Sequence, residues 1–169
     1  VTGALLRLGG IARLRPAAPA PAHVIEGATD HLLGNSGREF VVAYVNDTDI
    51  AGHAWGWMSG PYLQAAAAVD RGLAPLRTVL MDPGILVIVC ADHGGGGVLD
   101  NDHDHPHPVN DRIPLFLLGQ RVQCGATGAE PVRLLDVPPT VLWALGGTAP
   151  AQYEGRVLNE AFVTELITA

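Results

Sequence analysis

Two uninterrupted apolar runs, Phe40-Val-Val-Ala-Tyr-Val45 and Ile85-Leu-Val-Ile-Val-Cys90, constrain this chain more than any other feature. Each is β-branched or aromatic along much of its length and carries no charge, the pattern of a strand covered on both faces. Between them Tyr62, Ala66, Val69, Leu73, Leu76 and Leu80 recur at spacings of three and four. That periodicity predicts an amphipathic helix from about Ser59, read as its N-cap, to a break at Asp82-Pro-Gly84. Strand, helix and strand in this order make a βαβ unit, so the two runs are expected to lie parallel with a right-handed crossover. Ile113-Pro-Leu-Phe-Leu-Leu118 is a third expected strand, its Pro114 near the start where a missing donor is tolerated. Asp136 is expected to cap a helix that holds Pro138 and Pro139 in its first turn and ends at Gly146-Gly147. A last helix is expected from about Val157 to the C-terminus. The fold class is therefore α/β, a mostly parallel sheet flanked by helices.

The 169 residues suit one domain, 1–169, with a substantial core. Apolar residues make up 48% and charged residues 16%, which excludes a wholly disordered chain. A balance of 10 Lys+Arg against 17 Asp+Glu, net −7, argues against binding to a nucleic-acid polymer, which needs cations facing phosphates. The longest apolar stretch is far short of the ~20 residues that span a bilayer. Val1 to Arg15 reads as an amphipathic helix with arginines interspersed, unlike a secretory signal, and Pro16 to Ala22 as a stiff Pro/Ala connector. The opening on Val1, with no Met, hints at sequence upstream; the compartment is open, with the cytoplasm slightly favoured. Cys90 and Cys124 make no disulfide framework, and Cys90, inside an apolar run, is expected to be a buried free thiol.

In open α/β sheets ligands bind beyond the carboxyl ends of the strands. The first run leads into Asn46 to His53, the second into Ala91-Asp-His-Gly-Gly-Gly-Gly97, and Asp100 to His107 precedes the third. These loops hold five of the chain's seven histidines. Carboxylates and imidazoles brought together form a ligand set for Zn²⁺ or a related divalent ion. Asp49 and His53, at i and i+4, reach one ion from a single helical turn. Asp92 and His93 share an ion only if the chain turns sharply after the strand, and the glycines that follow supply the turn. Those glycines are not a phosphate-cradling P-loop, since no Gly-Lys-Ser/Thr follows. Plainer roles compete at each place: a helix cap at Asp49, a packed His53, turn chemistry at Asp92-His93, a solvated loop at 100–107. Trp55 and Trp57 are expected to pack around the site. Asn110 is a candidate for contact with an anionic substrate, as is Arg112, which reads equally well as a surface residue.

Asp49-Ile-Ala-Gly-His53, then Ala91-Asp-His-Gly94, then a histidine ahead of Arg112-Ile-Pro-Leu-Phe116, resembles the alkaline phosphatase superfamily. The branch it is most similar to is the type I phosphodiesterase/nucleotide pyrophosphatase and sulfatase-like group. Leu135-Asp-Val-Pro-Pro-Thr-Val-Leu-Trp-Ala-Leu-Gly146 and Glu154-Gly-Arg-Val-Leu158 also resemble the end of that group, so the match covers roughly residues 38 to 160. The resemblance implies a small phosphate-ester substrate and two divalent ions, zinc first, with manganese or calcium as alternatives. It implies that Asp49 and His53 bind the first ion with a histidine from 103–107: His107 first, His105 next, His103 left open. Asp92 and His93 would bind the second.

The family's nucleophile, a Thr, Ser or modified Cys well upstream of the first motif, has no counterpart here, and neither has a further metal-binding Asp. Thr2, Thr29, Ser36 and Ser59 lack its context. The chain is thus expected to correspond to the C-terminal portion of an alkaline-phosphatase-like fold, lacking the N-terminal part. The implied function is a metal-dependent hydrolase of phosphate esters, a phosphodiesterase/nucleotide pyrophosphatase made incomplete by the missing nucleophile. The alternatives are a sulfatase, a phosphomutase, or a truncated metal-binding domain without catalysis.

Overall fold

The structure is a computed structural model that describes residues 20–125 and 131–163. The expected helix over 1–15 and most of the Pro/Ala connector lie outside them. The connector's last two residues instead open a helix, α1 (Pro21–Leu33), with Ala20 extended at its N-cap and Pro21 at the first helical position. Proline is favoured there because its absent N–H would have no intrahelical partner and its φ is already helical.

α2 (Asp47–Trp55) carries Asp49 and His53, and α3 (Gly60–Gly72) follows, with the Ser59 side chain accepting from the Tyr62 amide at 3.3 Å. The long helix expected from Ser59 is broken: after Gly72 the chain turns, and α4 (Leu76–Val79) resumes behind Pro75. Proline cannot donate into a helical ladder and disfavours helix at the residue before it, so the apolar period continues while the helix does not. At the expected break, Asp82 folds back on itself and its carboxylate accepts from the Gly84 amide at 2.7 Å.

β1 (Val87–Cys90) and β2 (Leu115–Leu118) form a two-stranded antiparallel sheet, with Val87 opposite Leu118 and Cys90 opposite Leu115. This corrects the mostly parallel sheet: among the described residues the fold is mixed α/β, and 40–45 forms no strand and has no ladder partner. Phe40, Val42 and Tyr44 are exposed, while Val45 packs with Ile85 and Val87 against the core of Ile25, Leu76 and Val79. Both apolar runs therefore reach one core, but only the second finds a hydrogen-bonding neighbour. Cys90, expected buried, is exposed at the end of β1, and Cys124 is exposed and free as well. No described helix is long and apolar enough to cross a membrane.

A second packed unit lies toward the C-terminus. Asp136 precedes α5 (Val137–Ala144), but its carboxylate does not cap that helix. It accepts instead from the amides of Arg133 at 2.8 Å and Arg156 at 2.9 Å. The Thr140 hydroxyl, fully buried, donates to the Asp136 carbonyl and accepts from the Leu158 amide. Gly146 ends the helix region in a left-handed conformation, φ +78°, as the sequence led one to expect. Of the expected final helix, residues 164–169 lie outside the described residues; over 157–163 the chain forms a short 3-10 turn, Asn159–Ala161, followed by an antiparallel bridge between Phe162 and Val122. Gly155 lies directly against the Leu135 carbonyl, where a Cβ would collide with backbone. Gly155→Ala is expected to destabilise the fold by about 1–3 kcal/mol, read as a lower denaturant midpoint at unchanged slope.

Candidate metal centre

α2 presents Asp49 and His53 on one face, one turn apart, and their side chains meet with Nε2 3.5 Å from Oδ1. The loop after β1 brings His93 Nε2 to 3.9 Å from the same oxygen, and the loop before β2 brings His103 Nε2 to 3.7 Å. Three segments distant in sequence thus aim three imidazole nitrogens at one carboxylate oxygen. Donors around a tetrahedral ion bonded at ~2.0–2.1 Å stand roughly 3.4 Å apart, close to these separations. The Asp49, His53 and His103 donor atoms all lie within 4.8 Å of one another.

The donor set fits a divalent cation for a further reason. Asp49 Oδ1 is buried and has no hydrogen-bond partner. A buried carboxylate oxygen left unpaired is costly, and an ion held between it and the imidazoles would satisfy it. The imidazoles are also held in a suitable tautomer. His53 Nδ1 lies 3.0 Å from the Asn101 carbonyl, and His93 Nδ1 lies 2.8 Å from the Gly94 carbonyl. A carbonyl only accepts, so both Nδ1 atoms carry hydrogen and both Nε2 atoms present lone pairs toward Asp49. His103 Nδ1 stands 3.6 Å from the Asp104 carboxylate.

Trp57 is the floor of this arrangement. Its ring meets His53 edge-on at 5.1 Å between centroids and His103 at 5.7 Å, and His93 stacks on His103 at 3.8 Å. The indole lies against Gly52 of α2 on one side and Gly95 of the glycine run on another, where any Cβ would strike the ring. The glycines after Asp92-His93 thus make room for an aromatic ring as well as a turn. Trp55, by contrast, is exposed.

Asp92 is well exposed, with Oδ1 3.7 Å from His93 Nε2, so His93 lies between the Asp92 and Asp49 carboxylates. The structure does not bring His105 or His107 to Asp49 among the described contacts. His105 pairs with Asp102 at 3.0 Å, and His107 Nδ1 accepts from the Val109 amide. The reason is local: Asn110 Nδ2 donates to the carbonyls of both His103 and His105, and the Gly96 amide donates to the Asp102 carbonyl. These bonds fold the His-rich loop so that its first imidazole faces inward.

Tyr44 and Asn110 complete the surroundings, and sequence reasoning missed Tyr44. Partial burial and the nearby Asp92 and Asp49 carboxylates push the Tyr44 hydroxyl above its usual range. Its place next to last in the first apolar run was the available signal. Desolvation and Asp92 likewise push the Cys90 thiol above its usual range.

The fold and site define a mixed α/β domain whose carboxylate and imidazole groups gather beyond a strand end, a donor set that could hold a divalent cation. This chain is a member of the type I phosphodiesterase / nucleotide pyrophosphatase family, matched over residues 20–133, within the alkaline phosphatase superfamily. It is similar to 2,3-bisphosphoglycerate-independent phosphoglycerate mutases. The one from Listeria monocytogenes is 28% identical over 81% of this chain and 26% of the relative. The one from Cereibacter sphaeroides is 31% identical over 88% and 28%, and the one from Halobacterium salinarum 32% over 86% and 28%. The chain therefore spans little more than a quarter of the length of these relatives.

Proposed function

We propose that this chain supplies the metal-holding part of a phosphoryl-transfer site that acts on small phosphate esters, phosphodiesters before sulfate esters. The observation that carries the reading is Asp49 Oδ1, buried, without a hydrogen-bond partner and faced by three imidazole Nε2 atoms. Asp49, His53 and His103 would hold one divalent ion. Asp92 and His93 would hold a second, with His105 and His107 outside the pair. Zinc is the first choice for both, with manganese or calcium as alternatives. Bound there, such ions polarise phosphoryl oxygens and lower the pKa of a coordinated hydroxyl or water.

The chain's own residues would do the rest. The Asn101 and Gly94 carbonyls keep His53 and His93 in the ligating tautomer, and Trp57 keeps the His53 and His103 rings in place. Tyr44, held protonated beside the two carboxylates, offers an O–H donor to an incoming anion. The nucleophile of the reaction would come from outside the Asp49–His53–His103 group. A second reading, a phosphomutase that returns the phosphoryl group to another hydroxyl, is favoured by the relatives' printed activity.

With Mn²⁺ added, the chain is expected to broaden the ³¹P resonance of inorganic phosphate, while turning over bis-p-nitrophenyl phosphate weakly or not at all. A phosphate line unchanged by the Mn²⁺-loaded chain would defeat the phosphoryl-site reading. Fast turnover would show that the chain carries its own nucleophile.

A further inference from the structure

Asn110 stands where two loops of the metal centre meet. Its Nδ2 donates to the His103 carbonyl at 3.0 Å and the His105 carbonyl at 2.8 Å, and its backbone amide donates to the His107 carbonyl at 2.9 Å. One residue thus binds the backbone of every histidine in the stretch 103–107. Its own carbonyl accepts from the Gly94 amide at 2.7 Å, next to His93. Gly94 has no room for a Cβ there, because the Val109 carbonyl lies directly against it. The loop after β1 is therefore seated on residues 109 and 110, and His93 stacks on His103 at 3.8 Å between ring centroids.

Asn110 is 7% exposed, and its Oδ1 is buried without a hydrogen-bond partner. A buried acceptor left unpaired opposes folding, so stability alone does not account for an amide at this place. Its donors do. A planar NH₂ group offers two N–H bonds at a fixed angle, and two carbonyls take both. Neither is left for a substrate.

We infer that Asn110 is a positioning residue of the metal centre, the one that decides which of three imidazoles in the His-rich stretch meets Asp49. The inference rests on the metal-holding reading above. Histidine stands at every second place from 103 to 107, so a small change in the path of the loop exchanges the ring that faces Asp49. The two donors of Asn110, set on the carbonyls of 103 and 105, fix that path and leave His103 Nε2 3.7 Å from Asp49 Oδ1. Two further bonds, from the Gly96 amide to the Asp102 carbonyl and from the Asn110 amide to the His107 carbonyl, hold the ends of the stretch and do not depend on the Asn110 side chain. With that side chain removed, the ends stay in place while His103 loses its advantage over His105 and His107.

Titration with Co²⁺, followed by its visible absorption across a double-variant cycle, tests this. Asn110→Ala should weaken Co²⁺ binding about tenfold, the loss expected when a partner that orients a metal ligand is removed. Its urea midpoint should move little, since two hydrogen bonds and one unpaired buried acceptor disappear together. His103→Ala should cost at least ~100-fold in the parent chain, where the latched loop offers no other ring. In the Asn110→Ala background the same change should cost no more than about twofold. The double variant should therefore bind Co²⁺ more tightly than His103→Ala alone, because the freed stretch presents His105 or His107. A merely structural Asn110 would leave the two losses independent, and they would multiply. Multiplied losses, or an Asn110→Ala chain that binds Co²⁺ like the parent, overturn the inference and leave the metal centre standing. A parent chain that takes up no Co²⁺ overturns both. Should alanine prevent folding, Asn110→Ser, with one shorter donor, carries the same comparison.

Discussion

His53→Ala is expected to weaken divalent-ion binding by at least ~100-fold, because even loss of an outer-sphere partner of a metal ligand costs 10–100-fold. The expectation follows from geometry. His53 Nε2 has one oxygen to face, Asp49 Oδ1 at 3.5 Å, and its Nδ1 is already spent on the Asn101 carbonyl. Elemental analysis after dialysis should find the ion in the parent chain and not in the variant, with circular dichroism unchanged. His107→Ala should keep its ion, because the structure points that ring toward the Val109 amide. The reverse pattern, ion kept in His53→Ala and lost in His107→Ala, would show that the His-rich loop presents a different imidazole.

Asp136→Ala should be the most destabilising single change in the C-terminal unit, by about 2–5 kcal/mol, since it leaves the partly buried amides of Arg133 and Arg156 without an acceptor. Asp136 is 1% exposed. Burial alone would raise its pKa, but the amides of Arg156 and Arg133, helped by both guanidinium groups, outweigh that and hold the carboxyl below its usual range. The sign of the pH effect is then fixed. A carboxyl whose folded pKa lies below its unfolded value of ~3.9 adds stability that is complete above that value and is lost as pH falls through the folded pKa. Urea titrations of the parent chain and Asp136→Asn should therefore differ at pH 7, start to converge only below about pH 4, and meet below the folded pKa. A gap that persists undiminished in acid would assign the loss to hydrogen bonding alone.

Much of the site could be read in the sequence, because its first elements are local. Asp49 and His53 lie one helical turn apart in any helix, and Asp92-His93 follow a β-branched run that can hardly be anything but a strand. The choice within the His-rich stretch could not be read. Distance along the chain to β2 favoured His107, whereas the loop is folded by Asn110 and Gly96 through backbone carbonyls that leave no trace in composition. Strand direction was equally hidden. An apolar run marks a segment fit for a strand without naming its partner, and Val87–Cys90 pairs with Leu115–Leu118 while the run at 40–45 forms no strand. α1 was concealed by its own prolines, which signal a connector and also suit the first turn of a helix.

Trp57 has a use outside the chemistry. Its indole is pinned between Gly52 and Gly95 with two imidazoles at its edge, while Trp55 is exposed and Trp143 packs on Phe162. An ion taken up beside those imidazoles is expected to alter emission from that ring, giving the chain an optical gauge that needs no label.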